Sequence, residues 1–442
     1  VHDPDPQAER KIGEVLANAR RALPMLYEVR LPDEGQLRFC DTVGEAVAGA
    51  EWIQESAPER LDLKHSILAE VERHAPETAI VGSSTSGFRP SQLQEGLRRP
   101  GAVVVAHPFN PVYLLPLVEV VPSGATPEKT VERAADILRS LGMYPLVIGK
   151  EIDAHIADRL LEAVWREALW LVSDGIATTA EIDDAIRYGF GLRWAQMGLF
   201  ETYRIAGGEA GMKHFLAQFG PALQWPWTKL MDVPDLTEQL IGRIADQSDA
   251  QSGHMSIREL ERLRDDNLVA KMRALKGRNA AVGVLLNAHE KAIAPLVGAD
   301  DSGPLETVAR VVPIDWTDYN GHMNESRYGQ VFSDAADAVL AKIGAGEAYV
   351  AGGHSFFTVE TSIRYLAELH AGAPIRVETV VTEGAGKKLR LRHRLLGADG
   401  TLHATGDQLL IHVSLEKRRA CEPSDEVGAA LAALAEAHAG LK

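Results

Sequence analysis

The sequence predicts three successive domains of different classes: an α/β domain, an all-α domain and an α+β domain. In residues 1–150, short apolar runs alternate with amphipathic stretches, as strands alternate with helices. In residues 151–296 the apolar residues recur at a helical period, whereas in residues 306–420 they alternate with polar ones, as in antiparallel strands. A polar Gly/Pro segment at 297–305 predicts a linker, and residues 421–442 predict a C-terminal tail or helix.

The bulk composition indicates a cytoplasmic enzyme. A chain of 442 residues is too long for one ordinary core, and its formal net charge of −16 argues against nucleic acid as a partner. No apolar run approaches the roughly 20 residues that span a bilayer, and no signal peptide opens the sequence. The two cysteines, Cys40 and Cys421, predict neither a disulfide framework nor a cysteine metal site, and no other metal site is predicted.

Three polar side chains accompany consecutive strand-like runs of the α/β domain. The runs are Thr78–Val81, Ala102–Ala106 and Leu117–Val121. Ser86 and His107 follow the first two runs, and Glu119 lies in the third. Because ligands of open α/β sheets bind outside the strand ends, we expect these groups to face one crevice. An imidazole held by a carboxylate takes a proton from an alcohol near neutral pH, although a turn histidine would explain His107 taken alone.

The run His107–Pro111, followed by Glu119, resembles the 3-hydroxyacyl-CoA dehydrogenase superfamily, and the likeness extends to about residue 290. The resemblance implies a Rossmann-type NAD-binding domain, followed by an all-helical domain that closes over the substrate and forms a homodimer. It implies NAD as the cofactor and a 3-hydroxy group as the site of oxidation. It also implies that His107 is the catalytic base, that Glu119 orients it, and that Ser86 binds the reacting oxygen.

The same resemblance implies cofactor contacts near the start of the sequence. Asp3 occupies the place of the acid that holds the adenine ribose, although a surface turn explains it as well. The first strand and the Gly-rich turn that bind the pyrophosphate are missing before Val1. We therefore expect an N-terminally truncated Rossmann-type domain with impaired NAD binding. Glu59 and Lys64 match positions near the nicotinamide ribose, and a solvated helix face would explain them equally.

The all-α domain carries an unusual carboxylate. Helices are predicted at about 157–173, from 179, at 235–248 and at 256–292, with an irregular aromatic-rich loop at 189–198. Asp158 stands where the resembled acyl-CoA enzymes have an asparagine. An anion among aromatic side chains, such as Trp194, Trp225 and Trp227, is typical of a quaternary ammonium site, although tryptophans at helical spacing also form cores.

Asp158 and the sequences of residues 53–56 and 257–266 resemble the L-carnitine dehydrogenases most closely. That resemblance implies carnitine, a 3-hydroxy acid with a trimethylammonium group, as the substrate and 3-dehydrocarnitine as the product. Asp158 and Trp194 are the matching substrate-binding candidates. The alternative within the same class is a 3-hydroxyacyl-CoA substrate, which Asp158 disfavours.

The α+β domain is predicted to wrap an antiparallel sheet around one long helix, which is the hot-dog architecture. The expected elements are strands at 308–314, 355–366, 374–383, 387–396 and 402–415 and a helix at 325–343. Residues Thr317–Asn324 resemble the T-D-x-x-G-H-x-N motif of hot-dog acyl-CoA thioesterases. The resemblance makes Asp318 the nucleophile or the base for water, and places His322 and Asn324 around the substrate. A helix-capping aspartate without chemistry is the alternative.

The fusion of these halves resembles the bifunctional L-carnitine dehydrogenase/betainyl-CoA thioesterases. It implies small-molecule substrates, carnitine and an acyl-CoA, with no nucleic acid or membrane partner. A different hypothesis is a thioesterase carried on a non-catalytic dehydrogenase remnant, which the missing Gly-rich turn favours.

Overall fold

A computed structural model describes residues 1–206, 209, 211–219, 221, 228–229, 232–294 and 302–441. Most of the predicted linker, together with Trp225 and Trp227, lies outside the described residues. No helix in the described ranges is both long and apolar enough to cross a membrane. The chain forms two compact units. The first comprises Val1–Val15, Gly35–Asp265 and Ala274–Leu285, and the second comprises Leu16–Glu34, Asp266–Arg273 and Leu286–Lys442.

The first unit contains a five-stranded sheet in the order β1-β2-β3-β4-β5. The strands are β1 Trp52–Glu55, β2 Ile80–Ser83, β3 Val103–Pro108, β4 Leu117–Val121 and β5 Tyr144–Val147. Strands β1, β2 and β3 are parallel, β4 runs antiparallel to β3, and β5 is parallel to β4. Valines at 103, 105 and 121 are buried in the core, as the continuous apolar runs of these strands predict.

Glu119 lies in the middle of β4, inside its strand as the sequence predicts. Strand β4 is antiparallel to β3, and Glu119 pairs directly with His107 across the ladder. Cross-strand neighbours stand about 5 Å apart on one face of the sheet, so the imidazole and the carboxylate meet within the sheet rather than at its edge.

The helices up to residue 293 lie partly in the first unit and partly in the second. They are α1 Ala8–Ala22, α2 Val43–Val47, α3 Leu61–His74, α4 Pro90–Leu93, α5 Glu128–Ser140, α6 Ala157–Ser173, α7 Thr179–Ala185, α8 Gly191–Ala206, α9 Gly211–Phe219, α10 Glu238–Ser252, α11 Ile257–Gly277 and α12 Val282–Ile293. The predicted bounds of α6 are confirmed. Thr178, which caps α7, accepts a hydrogen bond from the Glu181 amide.

Two helical predictions are wrong in detail. The expected irregular loop at 189–198 lies largely within α8, where Gly198, at φ +69°, kinks the helix. Its aromatic residues lie one helical turn apart and pack on each other, which a loop would not require. The single helix expected at 256–292 is broken because Asn279 and Ala281 adopt left-handed φ angles of 47° and 48°, which a right-handed helix cannot include.

The second unit contains a six-stranded antiparallel sheet. Its strands are β6 Leu305–Val311, β7 His354–Tyr365, β8 Pro374–Ala385, β9 Lys388–Gly397, β10 Leu402–Ser414 and β11 Arg419–Ala420, and its further helices are α13 Glu325–Lys342, α14 Glu347–Ala351 and α15 Asp425–Ala437. Strand β6 ends before the predicted residue 314, since Pro313 has no N–H for the ladder. The order is β6-β8-β9-β10, and β7 also pairs with β10.

The long helix α13 packs across this sheet, as the sequence predicts. Val331, Phe332 and Val339 on α13 are fully buried. Gly406 on β10 allows the closest approach, since a Cβ atom there would stand 2.7 Å from the Phe332 ring. Helix α15 joins the same core through its buried Leu431.

Candidate active sites

The His107 imidazole is oriented by Glu119. The two side chains are 3.1 Å apart, between Nδ1 of His107 and Oε2 of Glu119. An ionised carboxylate only accepts hydrogen bonds, so Nδ1 carries the proton and donates it. In the neutral ring the lone pair therefore resides on Nε2, which is the tautomer that a base requires.

Glu119 also binds backbone amides at the start of α6. Its Oε1 accepts hydrogen bonds of 2.9 Å from the backbone amides of Ile156 and Ala157, at the start of that helix. Burial raises the pKa of this carboxyl, but the hydrogen bonds from His107 and the two amides, with the nearby His155, lower it further than burial raises it. The carboxylate is thus ionised at neutral pH and fully buried.

The Nε2 side of His107 faces two further predicted residues. The Ser86 hydroxyl lies 3.2 Å from Nε2 and is positioned to donate to its lone pair. The nearer Asp158 carboxylate oxygen lies 3.7 Å from the same nitrogen. Ser86 is exposed, and the Asp158 side chain retains 18% of its exposure. The structure therefore brings Ser86, His107, Glu119 and Asp158 together around one imidazole, with the lone pair on the accessible side.

A second histidine in this region was missed from the sequence. His155 is fully buried, its ring centroid is 5.7 Å from that of His107, and its Nε2–H donates to the Thr85 carbonyl oxygen at 3.1 Å. Its backbone adopts a left-handed φ of 52°, which is strained for a residue with a side chain and is typical of functional sites. The sequence signal was weak, because a histidine just before a helix also fits a surface turn.

The cofactor candidates at the start of α3 take different positions. Glu59 is partly exposed and accepts hydrogen bonds from the Thr85 hydroxyl and, at 2.9 Å, from the Gly87 amide. Lys64 is only 1% exposed, and its Nζ donates to Glu55 at 3.0 Å and to the Ala57 carbonyl at 2.9 Å. The alternative of a solvated helix face is therefore wrong for Lys64, because the ammonium is paired inside the domain.

The remaining groups at this edge fit the sugar of a dinucleotide. Glu59 offers a carboxylate, and Ser56 and Ser84 offer hydroxyls 2.8 Å from each other, beyond the carboxyl ends of parallel strands β1 and β2. Such groups bind ribose hydroxyls in open α/β sheets. Asp3 is exposed, and its Oδ1 accepts a hydrogen bond of 2.8 Å from the Asp5 amide, so its described contact is a local turn.

Trp194, the predicted aromatic partner of Asp158, packs against another aromatic side chain. Its ring packs at 4.6 Å from that of Phe190, and the residue is 37% exposed. The predicted contact between Trp194 and Asp158 stays a prediction.

In the second unit, Asp318 lies beside the start of α13. Its Oδ1 accepts from the Asn320 amide at 2.9 Å, and its Oδ2 lies 3.4 Å from the Asn324 side-chain nitrogen. Asn324 in turn accepts a hydrogen bond of 3.0 Å from the Ser326 amide and caps the helix. The alternative of a helix-capping aspartate is therefore wrong, since Asn324 is the cap.

His322 points to partners that the sequence did not indicate. Its Nε2 lies 3.1 Å from Oε2 of Glu368, and its ring is 5.0 Å from that of His370. The turn that carries it is closed by a backbone hydrogen bond of 3.0 Å from the Asp318 amide to the His322 carbonyl. The motif residues thus share one turn.

Known proteins resemble both halves. The family described as 3-hydroxyacyl-CoA dehydrogenase, NAD binding domain, matches residues 9–152, its C-terminal domain matches 155–239, and the thioesterase-like superfamily matches 312–431. The L-carnitine dehydrogenase/betainyl-CoA thioesterase of Ruegeria pomeroyi is 62% identical over all of this chain and 91% of its own length. This chain belongs to that bifunctional family.

Two further similarities concern the dehydrogenase half. The L-carnitine dehydrogenase of Mesorhizobium japonicum is 58% identical over 67% of this chain and 83% of its own length. The crystal structure of 5-formyl-3-hydroxy-2-methylpyridine 4-carboxylic acid 5-dehydrogenase, an NAD⁺-dependent dismutase, has 27% identity and a TM-score of 0.52, over 62% of this chain and 90% of its own.

The matching families confirm a Rossmann-type NAD-binding domain, a helical dehydrogenase C-terminal domain and a thioesterase-like domain, together with the predicted enzyme classes. The chain is an enzyme with an NAD-dependent dehydrogenase half and a thioesterase half, and NAD is its cofactor.

Proposed function

We propose that the enzyme oxidises the 3-hydroxyl of L-carnitine to give 3-dehydrocarnitine, and that it hydrolyses betainyl-CoA to glycine betaine and CoA. The names of its full-length relatives support both reactions. The observation that carries the first is the His107 ring, with Glu119 on Nδ1 and with Ser86 and Asp158 on Nε2. Both substrates carry a trimethylammonium group.

In the first reaction, Nε2 of His107 takes the proton of the carnitine hydroxyl. Glu119 keeps Nδ1 protonated, so that Nε2 is free to accept, and its negative charge stabilises the imidazolium that results. The Ser86 hydroxyl, 3.2 Å from Nε2, is placed to donate to the reacting oxygen. NAD would supply the acceptor for the hydride that leaves C3. Glu59 with Ser56 and Ser84 would hold its ribose, whereas Lys64 acts indirectly through Glu55. The predicted adenine ribose contact of Asp3 also stays a proposal.

Asp158 supports carnitine rather than an acyl-CoA as the substrate. Its partly exposed carboxylate, 3.7 Å from the reacting nitrogen, attracts a quaternary ammonium by charge. Trp194 is also proposed to contact the ammonium group of the substrate. Rates with L-carnitine and with 3-hydroxybutyryl-CoA decide between the substrates, and a higher kcat/KM for the acyl-CoA would refute the proposal.

In the second reaction, Asp318 acts on the thioester carbonyl, as the nucleophile or as the base that activates water. Asn324 orients its carboxylate and caps α13, and the positive end of that helix dipole stabilises negative charge on the carbonyl oxygen. A water oxygen bonds to the carbonyl carbon, directly in the base route or after an aspartyl anhydride in the nucleophile route. The carbon–sulfur bond breaks, and the departing CoA sulfur takes up the proton that the water loses. His322 and Asn324 are proposed to shape the acyl site.

The all-helical domain is proposed to form the homodimer. Large apolar side chains are exposed there, with Tyr188 at 77% and Phe200 at 73% exposure. Exposed apolar surface of this kind fits a subunit interface. We also propose the predicted domain boundaries, which follow residues 150, 296, 305 and 420. A cytoplasmic location is proposed as well.

Two variants test the separate sites. We expect His107→Ala to abolish NADH formation from L-carnitine and to leave thiol release from betainyl-CoA intact. Asp318→Ala should do the reverse. Loss of both activities in either folded variant would refute two independent sites. NADH formation in the unaltered chain also tests the hypothesis of a non-catalytic remnant.

A further inference from the structure

We propose that His322, Glu368 and His370 bind a divalent transition-metal ion, of which Zn²⁺ is the best fit. One nitrogen of each histidine and one oxygen of the glutamate lie within 4.8 Å of one another. Two imidazoles and a carboxylate form the ligand set of many three-residue zinc sites, whereas Mg²⁺ and Ca²⁺ prefer oxygen ligands alone.

Two hydrogen bonds hold the two loops of this site together before any ion binds. The Met323 amide donates to the Leu369 carbonyl at 2.7 Å, between His322 on one loop and Glu368 and His370 on the other. Nδ1 of His370 lies 3.0 Å from the Gly321 carbonyl oxygen. The ligands are thus arranged by the fold, and binding does not have to bring two free loops together.

The second of these hydrogen bonds prepares His370 as a ligand. A carbonyl oxygen only accepts, so Nδ1 of His370 carries the proton and Nε2 carries the lone pair. A ring whose other nitrogen donates to a carbonyl is the usual arrangement of metal-ligating histidines, since it sets the tautomer and the ring orientation.

The distances and exposure suit an open zinc site. Nε2 of His322 and Oε2 of Glu368 are 3.1 Å apart, close to the roughly 3.3 Å between neighbouring ligands at zinc bond lengths of about 2.0 Å in tetrahedral geometry. The Glu368 side chain is 67% exposed and that of His322 is 35% exposed. The side chains can therefore turn toward an ion, and water has access to the fourth position.

Titration of the full chain with Co²⁺, followed by competition with Zn²⁺, tests this site. We expect one saturable Co²⁺ per chain with ligand-field absorption. His370→Ala and Glu368→Gln should each weaken Co²⁺ affinity by at least about tenfold. Circular dichroism establishes that each variant is folded, and either folded variant suffices for the test.

His74→Ala is the matched control, because the chain has other histidines that bind metal weakly. Nε2 of His74 lies 3.1 Å from Glu70, the same distance as in the proposed site, but no third ligand joins that pair among the described residues. The control should leave Co²⁺ affinity unchanged. Absence of a saturable Co²⁺ signal, or equal affinity in His370→Ala and the unaltered chain, would overturn the proposal. Because the readout is metal binding, it does not depend on the proposed substrates.

Discussion

Replacing Glu119 by glutamine should disable the dehydrogenase through the tautomer of His107. Glu119 is fully buried and accepts three hydrogen bonds, from His107 Nδ1 and from the amides of Ile156 and Ala157. Glutamine has almost the same shape but only one accepting oxygen. This oxygen should face the two backbone amides, because an NH₂ group in its place would leave both buried N–H donors without an acceptor.

The amide NH₂ of the glutamine then faces Nδ1 of His107. A donor facing Nδ1 requires a lone pair there, so the ring proton moves to Nε2, and the nitrogen beside Ser86 loses its capacity to accept. General-base catalysis contributes roughly 10²–10⁴-fold. We therefore expect kcat for L-carnitine oxidation to fall by at least about 100-fold, which corresponds to about 2.7 kcal/mol of transition-state stabilisation.

The second activity of the chain supplies the folding control for this variant. NADH formation and thiol release are measured on one preparation of Glu119→Gln. Thiol release should stay within about twofold of the unaltered enzyme, since Glu119 and Asp318 belong to different compact units and changes at independent sites do not couple. If NADH formation also stays within a few-fold while the protein is folded, the tautomer argument is wrong.

Three other predictions concern single residues. Asp158→Asn should raise KM for L-carnitine roughly tenfold by removing about 1.4 kcal/mol of attraction to the ammonium, and unchanged steady-state kinetics would count against that contact. His155→Phe should lower NADH formation and shift its pH profile, because the ring positions Thr85 beside Ser86, and thiol release should not change. His393 is fully buried, and burial lowers its pKa from 6.5 to about 4, so the unfolded state binds the proton first as pH falls. Acidification from pH 6.5 to 4 should therefore lower the free energy of unfolding of the second unit by about 3 kcal/mol. Denaturant unfolding over the same pH range should show a smaller decrease for His393→Gln.

Much of the fold followed from local patterns. Three elements were predictable: the bounds of α6, the strand that carries Glu119, and the long helix α13. Each depends on a hydrophobic period and on terminal signals within a few residues. The direction of β4 was not predictable, since strand direction depends on how the connection from β3 folds back. Nor was the break between α11 and α12, which depends on two residues in left-handed conformations.

By itself, the sequence determined the chemistry available to each half: a histidine with a carboxylate twelve residues later, and an aspartate before a capped helix. Only the tertiary structure decided which atoms meet. It buried Lys64 on Glu55, placed Asp158 at Nε2 of His107, and joined His322 to Glu368 and His370. The contacts of His107 and His322 link residues about 50 positions apart, and the one between Lys64 and Glu55 joins a helix to a strand. All of them depend on packing between elements, which no local period or motif encodes.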